Sequence, residues 1–62
     1  MKEAILLEEF NNIKVKFQNN EVALKYINLY ITICEDSLTK MIPISEMSLD
    51  NFQLLINRLK EE

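Results

Sequence analysis

The stretch Tyr26-Ile27-Asn28-Leu29-Tyr30-Ile31-Thr32-Ile33-Cys34 constrains the fold more than any other part of the chain. Ile27, Leu29, Ile31 and Ile33 fall on one side of a two-residue repeat. Tyr26, Asn28, Tyr30 and Thr32 fall on the other. β-Branched and aromatic residues crowd the segment, as in a half-buried strand with apolar side chains inward and amphipathic ones outward. The pattern predicts a central strand.

The flanking segments extend that reading. Ile13-Lys14-Val15-Lys16-Phe17 alternates cleanly and reads as a first strand, with its lysines outward. Gln18-Asn19-Asn20-Glu21 reads as a hairpin loop, because Asn can supply positive φ in a chain with no glycine. Val22, Leu24 and Tyr26 alternate in the opposite phase to Ile27–Ile33, which implies a bulge or a boundary near Lys25–Tyr26. Glu35-Asp36-Ser37 reads as a turn. Thr39 to Ile44 reads as a third strand, with Pro43 suiting an edge position.

Two helices complete the reading. Over residues 2–11, Leu6, Leu7 and Phe10 share a face, and Asn11-Asn12 suits a helix end. Over residues 48–60, Phe52, Leu55, Ile56 and Leu59 repeat at i, i+3, i+4 and i+7. Ser48 suits the N-cap and Asp50 the first turn, and Met47 with Phe52 suits a hydrophobic staple. The expected fold is therefore α+β, a single domain over 1–62. It has a three-stranded antiparallel sheet between N- and C-terminal helices (α-β-β-β-α).

An all-α three-helix bundle stays open beside it. Leu24, Ile27, Ile31, Cys34, Leu38 and Met41 also fit a helical spacing, and Leu6, Phe10, Ile13 and Phe17 fit a heptad. The helices would then span 3–18, 21–41 and 49–60. The lack of glycine for tight hairpin turns favours this alternative.

Size and residue types narrow the function. A chain of 62 residues is one domain, and at this size folding buries only about 60% of the surface of the unfolded chain. A partner or a second copy would supply further burial. There is no histidine and a single cysteine, so the common general base, a Cys-cluster metal site and an internal disulfide are all excluded. No Gly-rich phosphate loop or other catalytic motif is present, and no cofactor is expected. Glu3, Glu8 and Glu9 interrupt the N-terminal apolar residues, unlike a signal peptide. No apolar run approaches the roughly 18 residues that span a membrane. The expected setting is reducing and cytoplasmic.

Charge is uneven along the chain. Residues 1–9 carry Lys2 against Glu3, Glu8 and Glu9, a net of −2. Residues 10–34 carry Lys14, Lys16 and Lys25 against Glu21, a net of +2. Residues 35–62 carry Lys40, Arg58 and Lys60 against six acids, a net of −3. The acidic total argues against nucleic acid as the main partner, since phosphate affinity needs a basic footprint.

The candidate binding residues follow from that distribution. Glu35 and Asp36 at a hairpin tip, with Glu46 and Asp50 around the start of the last helix, would make one negative patch. Such a patch is complementary to a basic groove on a partner. The plain alternative is solvated surface with helix-dipole acids. A metal site from Glu35, Asp36 and Asp50 would need the fold to bring them together. Leu54 lies opposite Phe52, Ile56 and Leu59 and, with Met47, would anchor a contact with a partner or second copy. Cys34 reads as a small packing residue. Lys14, Lys16 and Lys25 with Tyr26 and Tyr30 would line a basic aromatic sheet face of the kind that stacks bases.

The succession of a short helix over Lys2–Asn11, an IKVKF strand, a long apolar strand, a MIPI strand and an SLDNFQLLINRL helix resembles the small acidic anti-CRISPR proteins of phages. The resemblance implies an α-β-β-β-α inhibitor that uses acidic side chains to occupy the DNA-recognition groove of a Cas nuclease. The expectation is thus a non-catalytic protein-binding inhibitor of a nucleic-acid-processing enzyme. The acidic positions come from the charge pattern, not from the resemblance. Two other functions stay open: a homodimeric structural or regulatory subunit, joined by a strand edge or the Leu54 face, and a small nucleic-acid binder using Lys14, Lys16, Lys25 and Tyr30.

Overall fold

The computed structural model describes residues 2–62, which form three helices: α1 (Lys2–Lys16), α2 (Glu21–Lys40) and α3 (Glu46–Glu61). Among the described residues there is no strand. The α+β expectation is overturned, and with it the sheet and the strand order on which the resemblance rested. The three-helix alternative describes the chain.

The physical reason lies in α2. Ile27, Ile31, Cys34 and Ser37 are buried, one helical turn after another. Val22, Tyr26, Leu29 and Ile33 are exposed. The alternation of Ile27, Leu29, Ile31 and Ile33 is therefore two helical rows seen in one string. Residues i and i+4 share a face of a helix, and i+2 lies on the other side. A helix apolar on two sides thus imitates a strand. The same holds at the end of α1, where Ile13 is buried and Val15 exposed, and Phe17 in the turn that follows is half-buried.

Local signals place the helix ends. The Asn20 side chain caps α2 by accepting from the Ala23 N–H at 3.1 Å, so the expected hairpin loop is instead a helix start. Ser45, not Ser48, caps α3: its Oγ accepts from the Ser48 N–H at 3.2 Å. The hydrophobic residue before the cap is then Ile44, which is half-buried, and its partner position is the buried Leu49. That replaces the expected staple of Met47 with Phe52, and Met47 is 76% exposed. Asn11 is no helix end. It lies inside α1 and donates from Nδ2 to the Leu7 carbonyl at 3.1 Å.

Helix α2 ends at Met41, whose φ of 56° and ψ of 37° are left-handed. Glycine usually holds this position. The Ser37 carbonyl accepts from the Met41 and Ile42 N–H groups, and the Ser37 hydroxyl donates to the Ile42 carbonyl at 2.5 Å. Pro43 follows in the connection to α3. The expected third strand is this helix end and connection.

Leu6, Phe10 and Ile13 from α1, Ile27, Ile31 and Cys34 from α2, and Leu49 and Ile56 from α3 make the core. Three aromatic rings, one per helix, join it. Phe10 stacks on Tyr30 at 5.5 Å, and Phe52 meets Tyr30 edge-on at 5.0 Å and Phe10 at 6.4 Å. Such pairs contribute about 0.5–1.5 kcal/mol each beyond the area they bury.

Helices α1 and α3 run parallel and in register. Lys2 bonds Glu46 at 2.8 Å, Gln53 approaches Glu9 at 3.5 Å, and Lys16 reaches the Lys60 carbonyl at 3.1 Å. Each pair is 44 residues apart in sequence, and successive pairs are seven residues on, two helical turns. Lys16 also donates to the Leu59 carbonyl at 3.0 Å, so it satisfies carbonyls at the end of α3 that have no helical partner.

Candidate binding surfaces

The helix order places acids and bases at opposite ends. The starts of α1 and α3 and the end of α2 share one end of the molecule. It carries Lys2 and Lys40 against Glu3, Glu35, Asp36, Glu46 and Asp50, a net of −3. The other end carries Lys14, Lys16, Lys25, Arg58 and Lys60 against Glu21, Glu61 and Glu62, a net of +2. Glu8 and Glu9 lie between them, and Glu9 is ion-paired with Lys60 at 3.4 Å, which lowers the basic end to +1 when it is counted there.

The sequence-nominated acids divide into two pairs at the acidic end. Glu46 and Asp50 lie beside Lys2 at the α1–α3 side. The hydrogen bond from Lys2 to Glu46, then their charge attraction, holds the ammonium pKa above its ordinary value, with a smaller contribution from Asp50. This ion pair is well exposed, so its weight in stability is small. Glu35 and Asp36 are exposed near the end of α2 and project about 100° apart around the helix. Among the described residues no three Asp, Glu or Cys side chains gather at a metal-sized site, so Glu35, Asp36 and Asp50 do not converge.

Leu54 is 59% exposed on the outer side of α3 and lines a shallow depression with Asn51, Leu55 and Arg58. Met47 is two turns away on the same side. Cys34 has no exposed surface, and burial, with the negative charge of Glu3, pushes its thiol pKa up. Both causes disfavour the thiolate that a nucleophile needs. The basic aromatic sheet face does not form. Tyr30 is stacked in the core against Phe10, and Lys16 is engaged at the end of α3.

The sequence reading did not anticipate a row of exposed apolar residues on α2. On α2, Val22 is 67% exposed, Tyr26 60%, Leu29 53% and Ile33 37%. Their spacing of four, three and four residues puts them in one row. The row borders a groove of about 270 Å³ between α2 and α3, lined by Ala23, Tyr26, Ile27, Tyr30, Leu55 and Leu59. The signal was present in the sequence as a second heptad-like row, but the strand reading divided its members between two faces.

Among the described residues no helix is long and apolar enough to cross a membrane. Comparison of the chain with protein-family models, curated proteins and solved structures finds no match.

Proposed function

We propose that this chain is a non-catalytic binding protein that acts by stoichiometric occupation of a protein partner. Its acidic end is the contact, and the partner surface is basic, as in the nucleic-acid groove of a nucleic-acid-processing enzyme. The observation that carries the reading is the concentration of Glu3, Glu35, Asp36, Glu46 and Asp50, against Lys2 and Lys40, at one end of a small three-helix bundle. Charge gathered this way orients an encounter and speeds it. The raised thiol pKa of Cys34, the lack of histidine and the shallow surface depressions favour binding over catalysis. A reducing, cytoplasmic setting suits the single unpaired, buried cysteine.

The test is recovery of the partner from host lysate, then affinity measured against salt. Affinity falls as salt rises, and charge reversal at Glu35 and Asp36 weakens binding while the helical circular dichroism is kept. Affinity that is indifferent to both manipulations overturns the reading.

A further inference from the structure

We propose that the outer row of α2 is a dimer interface, and that its occupant is α2 of a second copy of this chain, laid antiparallel along the row and into the groove beside α3. The inference does not rest on the reading of the acidic end.

Three observations carry it. The first is the row itself. Val22, Tyr26, Leu29 and Ile33 follow the spacing of a two-helix seam. When that seam is paired antiparallel about a two-fold axis between Ile27 and Asn28, Val22 faces Ile33 of the second copy and Tyr26 faces Leu29 of the second copy. Every apolar position then meets an apolar position, and the same four residues serve both chains, as a two-fold interface requires.

The second is charge. Each chain carries −3 at one end and +2 at the other, or +1 with the Glu9 carboxylate that pairs with Lys60. Antiparallel pairing sets the acidic end of one copy beside the basic end of the other. Parallel pairing would set each end beside its like, and would put Asp36, the next position of the row after Ile33, opposite Asp36 of the second copy, within a Debye length of about 8–10 Å. The helix dipoles of the two α2 segments also oppose one another in the antiparallel arrangement.

The third is area. The chain exposes 4605 Å², whereas a compact monomer of its mass, 7.4 kDa, is expected to expose about 4,200 Å² by surface scaling. The excess, roughly 400 Å² over the whole surface, marks a chain that buries less than a compact monomer of its mass, and it is well below the ~800 Å² per partner of a standard interface. A contact made by these four residues and the groove beside them is small against that standard, so the dimer is expected to form only as concentration rises.

The experiment is sedimentation equilibrium of the full chain over a concentration series, with two sets of variants. Wild type approaches twice the chain mass of 7.4 kDa as concentration rises, and Leu29→Glu stays at the single-chain mass with its helical circular dichroism intact. Leu29 is already half exposed, so the substitution leaves the core alone. For direction, chains carrying Val22→Cys are mixed with chains carrying Ile33→Cys under mild oxidation. The mixture forms an interchain disulfide, and Ile33→Cys alone does not. A wild-type monomer at the highest attainable concentration, or a Leu29→Glu dimer, overturns the interface. A disulfide between two Ile33→Cys chains overturns the antiparallel arrangement.

Discussion

The ring of Tyr30 lies 5.5 Å from that of Phe10 with only 8° between the planes, so α1 and α2 meet through a stacked aromatic pair. Phe52 of α3 closes on both rings edge-on. A residue whose sequence position suggested an outward, base-stacking face is thereby part of the packing that joins the three helices.

Phe10 has no exposed surface and touches both other aromatics. Phe10→Ala is expected to cost about 3–5 kcal/mol, the range for removing a buried aromatic. Small domains have little reserve stability, so the variant should lose most of its cooperative thermal transition. Circular dichroism through a temperature ramp checks this; a transition unchanged from wild type contradicts the role given to the triad.

Met41 occupies a left-handed conformation with φ of 56° that disfavours a side chain by about 1–2 kcal/mol. Met41 is 87% exposed, so its side chain contributes little packing. Met41→Gly should therefore raise stability, by about 0.5–1 kcal/mol after the added chain entropy of glycine is counted. A higher urea midpoint at unchanged slope is the expected result. The gain would identify this helix end as a strained turn held by Ser37.

Lys16 donates to the Leu59 and Lys60 carbonyls. Lys16→Ala leaves those groups to water and removes a cation from the negative end of the helix dipole, which costs about 0.3–1 kcal/mol. The loss should be local. Amide exchange in the last turn of α3 should quicken while exchange at Ile27 and Ile31 in the core changes much less. Uniform acceleration would mean that the contact supports the whole bundle instead.

Cys34 gives a pH-dependent signature. Its folded thiol pKa lies above the ordinary value of 9.0, so the unfolded chain releases the proton first. The stabilisation is fully present below the unfolded pKa and is lost as pH rises through that value toward the folded one. Stability should fall on the alkaline side, and Cys34→Ala should be less sensitive there, although it is less stable near neutrality because it leaves a small void. Urea titrations at neutral and alkaline pH compare the two slopes. In the native state at neutral pH, alkylation of the thiol should be slow and limited by opening of the core.

The expected helix over residues 48–60 became α3, with its ends moved to Glu46 and Glu61. Its inward residues were legible because Phe52, Leu55, Ile56 and Leu59 repeat at a helical period and at no other. In α2 the helical alternative over 21–41 matched the observed Glu21–Lys40 to within one residue, but the two-residue alternation of the same segment favoured a strand. Asn20 suits both a hairpin turn and an N-cap, so the residue before the helix did not choose between the two readings. Leu54 was correctly placed on the outer side of its helix. The neighbouring row on α2 was not recognised at all.

Local chemistry carried in the sequence was enough for the lone buried thiol's packing role, the outward position of Leu54 and the apolar inner face of the last helix. Packing alone selected which of the two apolar rows of α2 turned inward. Ile27, Ile31 and Cys34 meet the apolar side chains of α1 and α3, while Val22, Tyr26, Leu29 and Ile33 are left facing solvent. A string of alternating apolar residues is compatible with one strand face or with two helix faces, because both place residues i and i+4 together. The difference lies in where i+2 points, and that depends on what other parts of the chain arrive to cover.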